Sequence, residues 1–103
     1  MSRIKLVVSD VDGTLVTHDK RLTPGVLAAV ASLRAAGVGF TITSSRPPVG
    51  LRMLAEPLGL ALPVGAYNGG VILEPDLETV VEEHLVPADA AADAVRHLEA
   101  RGI

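Results

Sequence analysis

The chain has 103 residues, no cysteine and a net charge of −3, and these values limit what it can be. The length suits one domain, and the lack of cysteine excludes disulfides and thiolate metal sites. The negative charge argues against a broad nucleic-acid-binding face. Since no apolar stretch has the length of a membrane span or a signal-peptide core, we expect a cytoplasmic protein without a nucleic-acid or membrane partner.

The first half of the chain alternates between strand and helix patterns. An apolar run over 4–9 predicts a buried strand, and the polar residues 15–22 predict a loop or flap. A helix is predicted from Pro24, because proline is favoured at the first helical position, and it should end before Gly37. The apolar run 38–43 predicts a second strand.

The second half continues the alternation and then changes. Helical spacing predicts a second helix over 48–58, and a short apolar run predicts a third strand over 62–66. An apolar triplet at 71–73 and the run Thr79-Val80-Val81 flank a turn sequence, which is typical of a β-hairpin. A last helix is predicted over 87–101.

This order of elements predicts an α/β fold with a Rossmann-like, three-stranded parallel sheet, a β-hairpin and a C-terminal helix. In such sheets ligands bind beyond the carboxyl ends of the strands. Polar clusters follow each of the three strands, at 10–14, 44–46 and 68–70. We therefore expect the three clusters to form one site.

Two carboxylates in the first cluster carry the strongest chemical signal. Residues i and i+2 of an extended chain point to the same side, so Asp10 and Asp12 can face one site while Gly13 allows a sharp turn. Asp10 could bind Mg²⁺ with one oxygen and attack phosphorus with the other, and Asp12 could protonate the leaving oxygen and then activate water. The alternative is that both aspartates only form a turn. The strand before them and the hydroxyls of Thr14 and Ser44 favour the site.

The run Asp10-Val11-Asp12-Gly13-Thr14-Leu15 resembles the signature of the haloacid dehalogenase superfamily of phosphohydrolases. The resemblance implies that Asp10 is the nucleophile, and that Asp12 is the general acid/base and gives its backbone carbonyl to Mg²⁺. The run 43–47 resembles the second motif of that family, which gives phosphate binding to Ser44. In the Cof-type sugar-phosphate phosphatases, the nearest subgroup, a glycine stands where this chain has Ser45.

The remaining site candidates rest on these motifs. The predicted phosphate-binding residues are Gly13, Thr14, Ser44, Ser45 and Arg46, and the predicted Mg²⁺ ligands are Asp10 and Asp12. Arg46 could instead be a solvated residue at a helix start. The run 67–72 resembles the Asn-Gly segment of the subgroup, so Asn68 and Gly69 could contact substrate. Asn68 could equally be a turn residue that needs a positive φ.

The resemblance covers about the first half of a typical family member. The lysine motif and the acidic pair of the family would follow a cap domain, and neither Lys5 nor Lys20 is an obvious substitute for that lysine. We expect residues 1–85 to form an incomplete core of the haloacid dehalogenase type and 86–103 to resemble the start of a cap. The first strand would then have an exposed edge, which predicts pairing with a second copy, as a homodimer, or with the missing segment.

Two functions follow from these patterns. The first is a Mg²⁺-dependent phosphate-monoester hydrolase that acts on a small phosphorylated metabolite through an aspartyl-phosphate intermediate. The alternative is a truncated, weak or inactive module that binds phosphate or metal and self-associates. A phospho-accepting receiver domain is disfavoured, because the Asp-Gly-Thr run does not suit it.

Overall fold

Two parallel strands carry the N-terminal half of the computed structural model, which describes residues 3–103. β1 (Leu6–Ser9) and β2 (Gly39–Ile42) pair along their full length. The crossover between them contains α1 (Pro24–Ala35). This strand–helix–strand unit and its mixed surroundings confirm the α/β class.

The start of α1 follows from its capping residue. The hydroxyl of Thr23 accepts the backbone N–H of Val26 at 3.2 Å, and Pro24 occupies the first turn, where its missing N–H costs nothing. Val30 is the one residue of this helix that is fully inside the core. The Arg34 guanidinium donates to the carbonyl oxygens of Leu58 and Gly59, which fixes α1 against the end of the next helix.

The predicted helix over 48–58 consists of two parts. A 3₁₀ turn (Pro48–Leu51) leads into α2 (Arg52–Leu58), which ends at Gly59 in a left-handed conformation. The side chains of Leu51, Leu54 and Leu58 are buried in the core. Their spacing is the helical spacing from which the element was predicted.

The third strand differs from the prediction. β3 (Val64–Ala66) meets β2 through one parallel bridge, between Thr43 and Gly65, and pairs antiparallel with β4 (Val71–Leu73). Within the described residues, β1 and β2 are therefore the one pair of strands that forms a regular parallel ladder. β3 ends at Ala66 as predicted but begins two residues later, because Pro63 has no N–H to donate to a ladder.

The hairpin is formed by β4 and β5 (Val80–Glu83), so its second strand begins one residue later than predicted. The turn between them is held by Asp76, whose carboxylate oxygen Oδ1 accepts the backbone N–H groups of Glu78 and Thr79, each at 2.8 Å. These hydrogen bonds lower the pKa of Asp76. Leu77 folds back into the core, where 3% of it is exposed.

The last element, α3 (Ala88–Ala100), contains no buried residue. The apolar side predicted for it is present, but Val95 and Leu98 are 53% and 46% exposed. The core therefore lies between the strands, α1 and α2, and it is built from aliphatic residues. Within residues 3–103, no helix combines the length and apolar character needed to cross a membrane.

The first strand is less buried than its composition predicts. Leu6 and Val8 lie on one face and are 51% and 52% exposed, and Ile4, which precedes the strand, is 73% exposed. The described part of the chain places no element over this face, and β2 is the only strand that pairs with β1. The expectation of a buried strand was therefore wrong, whereas the exposed edge is present.

Replacement of Gly65 by alanine should destabilise the fold. An added Cβ would lie 2.7 Å from the Thr43 hydroxyl oxygen and 3.2 Å from its Cβ, so the bridge between β2 and β3 would have to open. We expect the free energy of unfolding in urea to fall by about 1–3 kcal/mol, as for an overpacked core. Gly25→Ala is the matched control, because its Cβ meets only the Thr23 hydroxyl oxygen, at 3.8 Å. Equal stability of the two variants would contradict this account of the bridge.

Candidate active site

A tight loop after β1 presents the two aspartates. Val11 between them is fully buried, and its carbonyl oxygen accepts the backbone N–H groups of residues 14–16 at 3.2, 2.9 and 3.2 Å. Gly13 has a φ of +80°, which lets the chain reverse within this loop. Because Val11 anchors the loop in the core, its neighbours are held at the surface in a fixed arrangement.

Asp10 is the open carboxylate of the loop. Its side chain is exposed, and its Oδ2 atom accepts a hydrogen bond of 3.3 Å from the Thr14 hydroxyl. An oxygen in this position can be reached by a ligand from solvent. This is the geometry that a nucleophile or a metal-binding carboxylate requires.

Asp12 is held differently, by two cations. Arg46 donates from Nε to Oδ2 at 2.8 Å and from Nη2 to Oδ1 at 2.7 Å, and the Lys20 ammonium lies 3.0 Å from the same Oδ1. These contacts, Arg46 first, hold the pKa of Asp12 well below its ordinary range, and Asp12 in turn raises the pKa of Arg46. Asp12 is therefore ionised at neutral pH.

The loop after β2 lies directly beside the first one. The Thr43 N–H donates to the Ser9 carbonyl oxygen at 2.9 Å, which continues the parallel ladder to the site. Ser44 is 3% exposed, and its hydroxyl accepts the backbone N–H of Arg46 at 3.1 Å. Ser45 is exposed and does not have a positive φ, so the loop does not need the glycine that the subgroup has there.

Arg46 belongs to the site, but its contacts are to protein. Besides its two bonds to Asp12, its Nη1 donates to the Gly50 carbonyl oxygen at 2.8 Å, so all three nitrogens of its guanidinium are engaged. Its side chain is 17% exposed. The alternative of a solvated residue at a helix start is wrong for Arg46, and its role toward phosphate stays a prediction.

The third loop, which follows β3, lies beside the loop after β2. The Asn68 N–H donates to the Ser44 carbonyl oxygen at 2.8 Å, and the Tyr67 N–H donates to the Arg46 carbonyl oxygen at 3.1 Å. Asn68 has a φ of 58° and Gly69 a φ of +88°. The turn interpretation of Asn68 is thus confirmed, while contact of Asn68 or Gly69 with substrate remains a prediction.

Lys20 is the site residue that the sequence did not reveal. It lies in the flap with a φ of 64°, and its N–H donates to the Thr17 carbonyl oxygen at 2.9 Å. This turn brings its side chain back over the aspartate loop. A polar cleft of about 290 Å³ lies there, lined by Gly13, Val16, Thr17, His18 and Lys20. The sequence feature that could have indicated Lys20 is the cationic flap directly after the aspartate motif.

The oxygen donors of the loop suit a magnesium ion. Mg²⁺ prefers oxygen ligands and commonly uses one or two carboxylates together with substrate phosphate. The Asp10 carboxylate and the Asp12 backbone carbonyl are donors of this kind, whereas the Asp12 carboxylate is engaged by Arg46 and Lys20. Residues 3–103 contain no cluster of three or more histidine or acidic side chains that could form a metal site.

Comparisons with known proteins agree on one family. The sequence profile described as haloacid dehalogenase-like hydrolase matches residues 7–103. A protein of Streptococcus pyogenes serotype M6, named as a phosphatase by inference, is 40% identical to this chain over 84 residues. The matched region is 78% of this chain and 31% of that protein. Pyridoxal phosphate phosphatase YbhA of Escherichia coli K12 is 30% identical over 94 residues, 91% of this chain and 35% of YbhA.

Solved structures show the same fold. The structure of a haloacid dehalogenase-like hydrolase from B. subtilis superposes with a TM-score of 0.82 at 24% identity, over 96% of this chain and 34% of that one. The chain thus spans about a third of the length of the relatives that it matches.

Removal of the Arg46 charge should change the titration of Asp12. In Arg46→Met the pKa of Asp12 should rise toward its ordinary value of 3.8, because the hydrogen bonds from Arg46, which lower this pKa most, are lost. A carboxyl whose pKa is lowered on folding adds stability above its unfolded pKa and loses it as the pH falls through the folded pKa. The stability difference between the wild type and the variant should therefore be full at pH 7 and shrink below about pH 4.

Carboxyl-carbon NMR titration measures the pKa of Asp12 directly, and urea unfolding at each pH measures the stability. Arg52→Met is the control, because Arg52 pairs only with the exposed Glu78 in the described contacts, at 3.3 Å. An Asp12 that titrates at its ordinary value in the wild type would contradict the ion-paired geometry.

Proposed function

Because the chain belongs to the haloacid dehalogenase-like hydrolases, we propose that it hydrolyses phosphate monoesters of small metabolites with Mg²⁺, through an aspartyl-phosphate on Asp10. The observation that carries the proposal is that the loops after β1, β2 and β3 lie together at the carboxyl ends of these strands. Asp10 lies open beside Thr14, Asp12 is tied to Arg46, and Asn68 is bonded to Ser44. The relatives named above, of which the chain spans about a third, support the same class of reaction.

In the first step an oxygen of Asp10 attacks phosphorus, and the bond from phosphorus to the ester oxygen breaks. The hydroxyls of Thr14 and Ser44 and the backbone around Gly13 would hold the phosphoryl oxygens, with Ser45 at the rim of the site. Mg²⁺, held by Asp10 and the Asp12 carbonyl, would supply positive charge against the negative charge of the phosphoryl group. Rotation of the Ser44 side chain is required for this contact, because its hydroxyl is buried.

In the second step water attacks the phosphorus of the aspartyl-phosphate, Asp12 takes a proton of that water, and the bond from phosphorus to the Asp10 oxygen breaks. Inorganic phosphate leaves, and the Asp10 carboxylate is restored. Acceptance of this proton also requires the cations to loosen, because Arg46 and Lys20 engage both carboxylate oxygens and hold the pKa of Asp12 well below its ordinary range, which lowers its affinity for a proton. Proton donation by Asp12 to the leaving oxygen in the first step requires that these two cations move away from its carboxylate. Arg46 would accordingly position Asp12 and set its proton affinity.

Asp10→Asn tests the hydrolase proposal. Turnover of para-nitrophenyl phosphate with Mg²⁺ should fall at least about 10³-fold, because an amide cannot form the acyl phosphate. Asp93→Asn is the control, since Asp93 lies on the exposed α3 and pairs with Arg96. No turnover by the wild type at any Mg²⁺ concentration would contradict the hydrolase and favour the alternative.

The alternative function is a module that binds phosphate or metal and self-associates. The exposed first strand favours it, because Leu6 and Val8 leave an apolar face beside an unpaired strand edge. A two-fold antiparallel pairing centred on Val7 would place Leu6 of each copy opposite Val8 of the other, as strand geometry requires. We also propose that residues 1–85 form the core and 86–103 a cap-like helix, and that the protein is cytoplasmic.

Val8→Lys tests self-association. If β1 pairs with a second copy, the variant should sediment as a monomer at concentrations where the wild type sediments as a dimer, because lysine is unfavourable at an edge that pairs. Val86→Lys is the control, because it adds the same charge at a residue that is 69% exposed and lies between β5 and α3. A monomeric wild type would contradict pairing along this edge.

A further inference from the structure

A second pocket lies at the end of the sheet opposite the aspartate loop. Its volume is about 210 Å³, and its lining residues are Arg34, Val38, Gly39, Phe40, Gly59, Ala61 and Leu62. β2 begins at Gly39, inside this pocket, whereas Ser44 of the candidate active site follows the other end of the strand. We call it the Arg34 pocket, and it shares no lining residue with the candidate active site.

Arg34 brings a positive charge to the pocket that no acid neutralises. Its Nη2 atom donates to the carbonyl oxygens of Leu58 and Gly59, which are neutral acceptors. In the described part of the chain no carboxylate pairs with Arg34, and its Nε and Nη1 atoms make no hydrogen bond. The two carbonyl bonds also cover the end of α2, where the helix dipole would otherwise repel an anion. The N–H groups on Nε and Nη1 are therefore available to an anionic ligand.

The charged residues beside the pocket leave this charge in place. The Lys5 carbonyl oxygen accepts the Gly39 N–H, and the Glu56 carbonyl oxygen accepts the Gly59 N–H, each at 2.9 Å. Neither Lys5 nor Glu56 lines the pocket, and their opposite charges cancel. Together with Arg34 they therefore carry one net positive charge.

The remaining walls are apolar, and a glycine keeps them apart. Gly39 lies in β2 without a positive φ, so its backbone conformation does not call for glycine. Glycine weakens a strand and often marks a place where a ligand or another backbone comes close. A Cβ at this position would lie 2.9 Å from the Leu62 Cδ1 atom and would narrow the pocket.

The size of the pocket limits its ligand to one ring. An apolar cavity of about 150 Å³ holds benzene. The volume of about 210 Å³ therefore admits an aromatic ring with one small substituent. Phe40, which is half-buried in the wall, offers this ring an aromatic contact.

We propose that the Arg34 pocket binds small aromatic carboxylates. The ring would lie against Val38, Phe40 and Leu62. The carboxylate would accept hydrogen bonds from the free side of the Arg34 guanidinium, whose planar fork matches a carboxylate. The proposal does not depend on the proposed function, because the pocket lies at the opposite end of β2.

Benzoate and benzyl alcohol test this proposal, because they share the ring and differ in the charge of the substituent. Titration of each into the full chain, followed by amide NMR shifts, measures both the affinity and the place of binding. We expect benzoate to shift residues 38–40 and 59–62, and not 10–14 or 44–46. We expect it to bind about tenfold more tightly than benzyl alcohol, as a charge-assisted contact would give.

Arg34→Met should reduce this preference to near unity, and Arg34→Lys should retain part of it. Arg52→Met is the matched control, because Arg52 begins α2 and Arg34 contacts its end. Gly39→Ala keeps the Arg34 charge and should weaken both probes, so it tests the pocket even if Arg34→Met does not fold. An absence of shifts at 38–40 and 59–62, or equal affinity for the two probes, would overturn the proposal. So would a preference that survives Arg34→Met or an affinity unchanged in Gly39→Ala.

Discussion

The two-bond pair between Asp12 and Arg46 is the interaction on which the site depends. It joins the loop after β1 to the loop after β2 across 34 residues of chain, with both carboxylate oxygens and two guanidinium nitrogens used. A planar fork of this kind fixes direction as well as distance, which a lysine in place of Arg46 would not do. Arg46 also binds the third loop, because its carbonyl oxygen accepts the Tyr67 N–H. The three strand ends are thus joined through one residue, Arg46, by its side chain on one side and its backbone carbonyl on the other.

The same pair sets the chemical character of the two aspartates. Asp10 and Asp12 are two residues apart, yet one is open to solvent and the other is enclosed by cations. One short loop therefore presents a carboxylate that a ligand can reach from solvent beside a carboxylate whose two oxygens are already engaged. The carbonyl oxygen of the buried Val11 accepts three backbone N–H groups of the loop. Both aspartate side chains therefore stay outside the core.

The sequence predicted the local parts of this arrangement and not the contacts between them. Thr23 and Pro24 specify the start of α1, and the aspartate motif specifies its loop, because each depends on neighbours a few residues away. The Asp12–Arg46 and Asp12–Lys20 pairs depend on where separate turns bring long side chains, and a pattern of spacing does not encode this. The shortened β3 has a different and local cause, since the strand begins only after Pro63, which has no N–H to donate to a ladder.

The exposure of α3 means that stability is not uniform along the chain. A helix of 13 residues without a buried side chain has little beyond its own backbone hydrogen bonds to hold it, and isolated helices shorter than about 12–15 residues are marginal in water. We therefore expect the amide protons of α3 to exchange with solvent through local fraying, and those of β2 and α2 to exchange only when the core opens. The aspartate loop should open together with the core, because Val11 is fully buried in it.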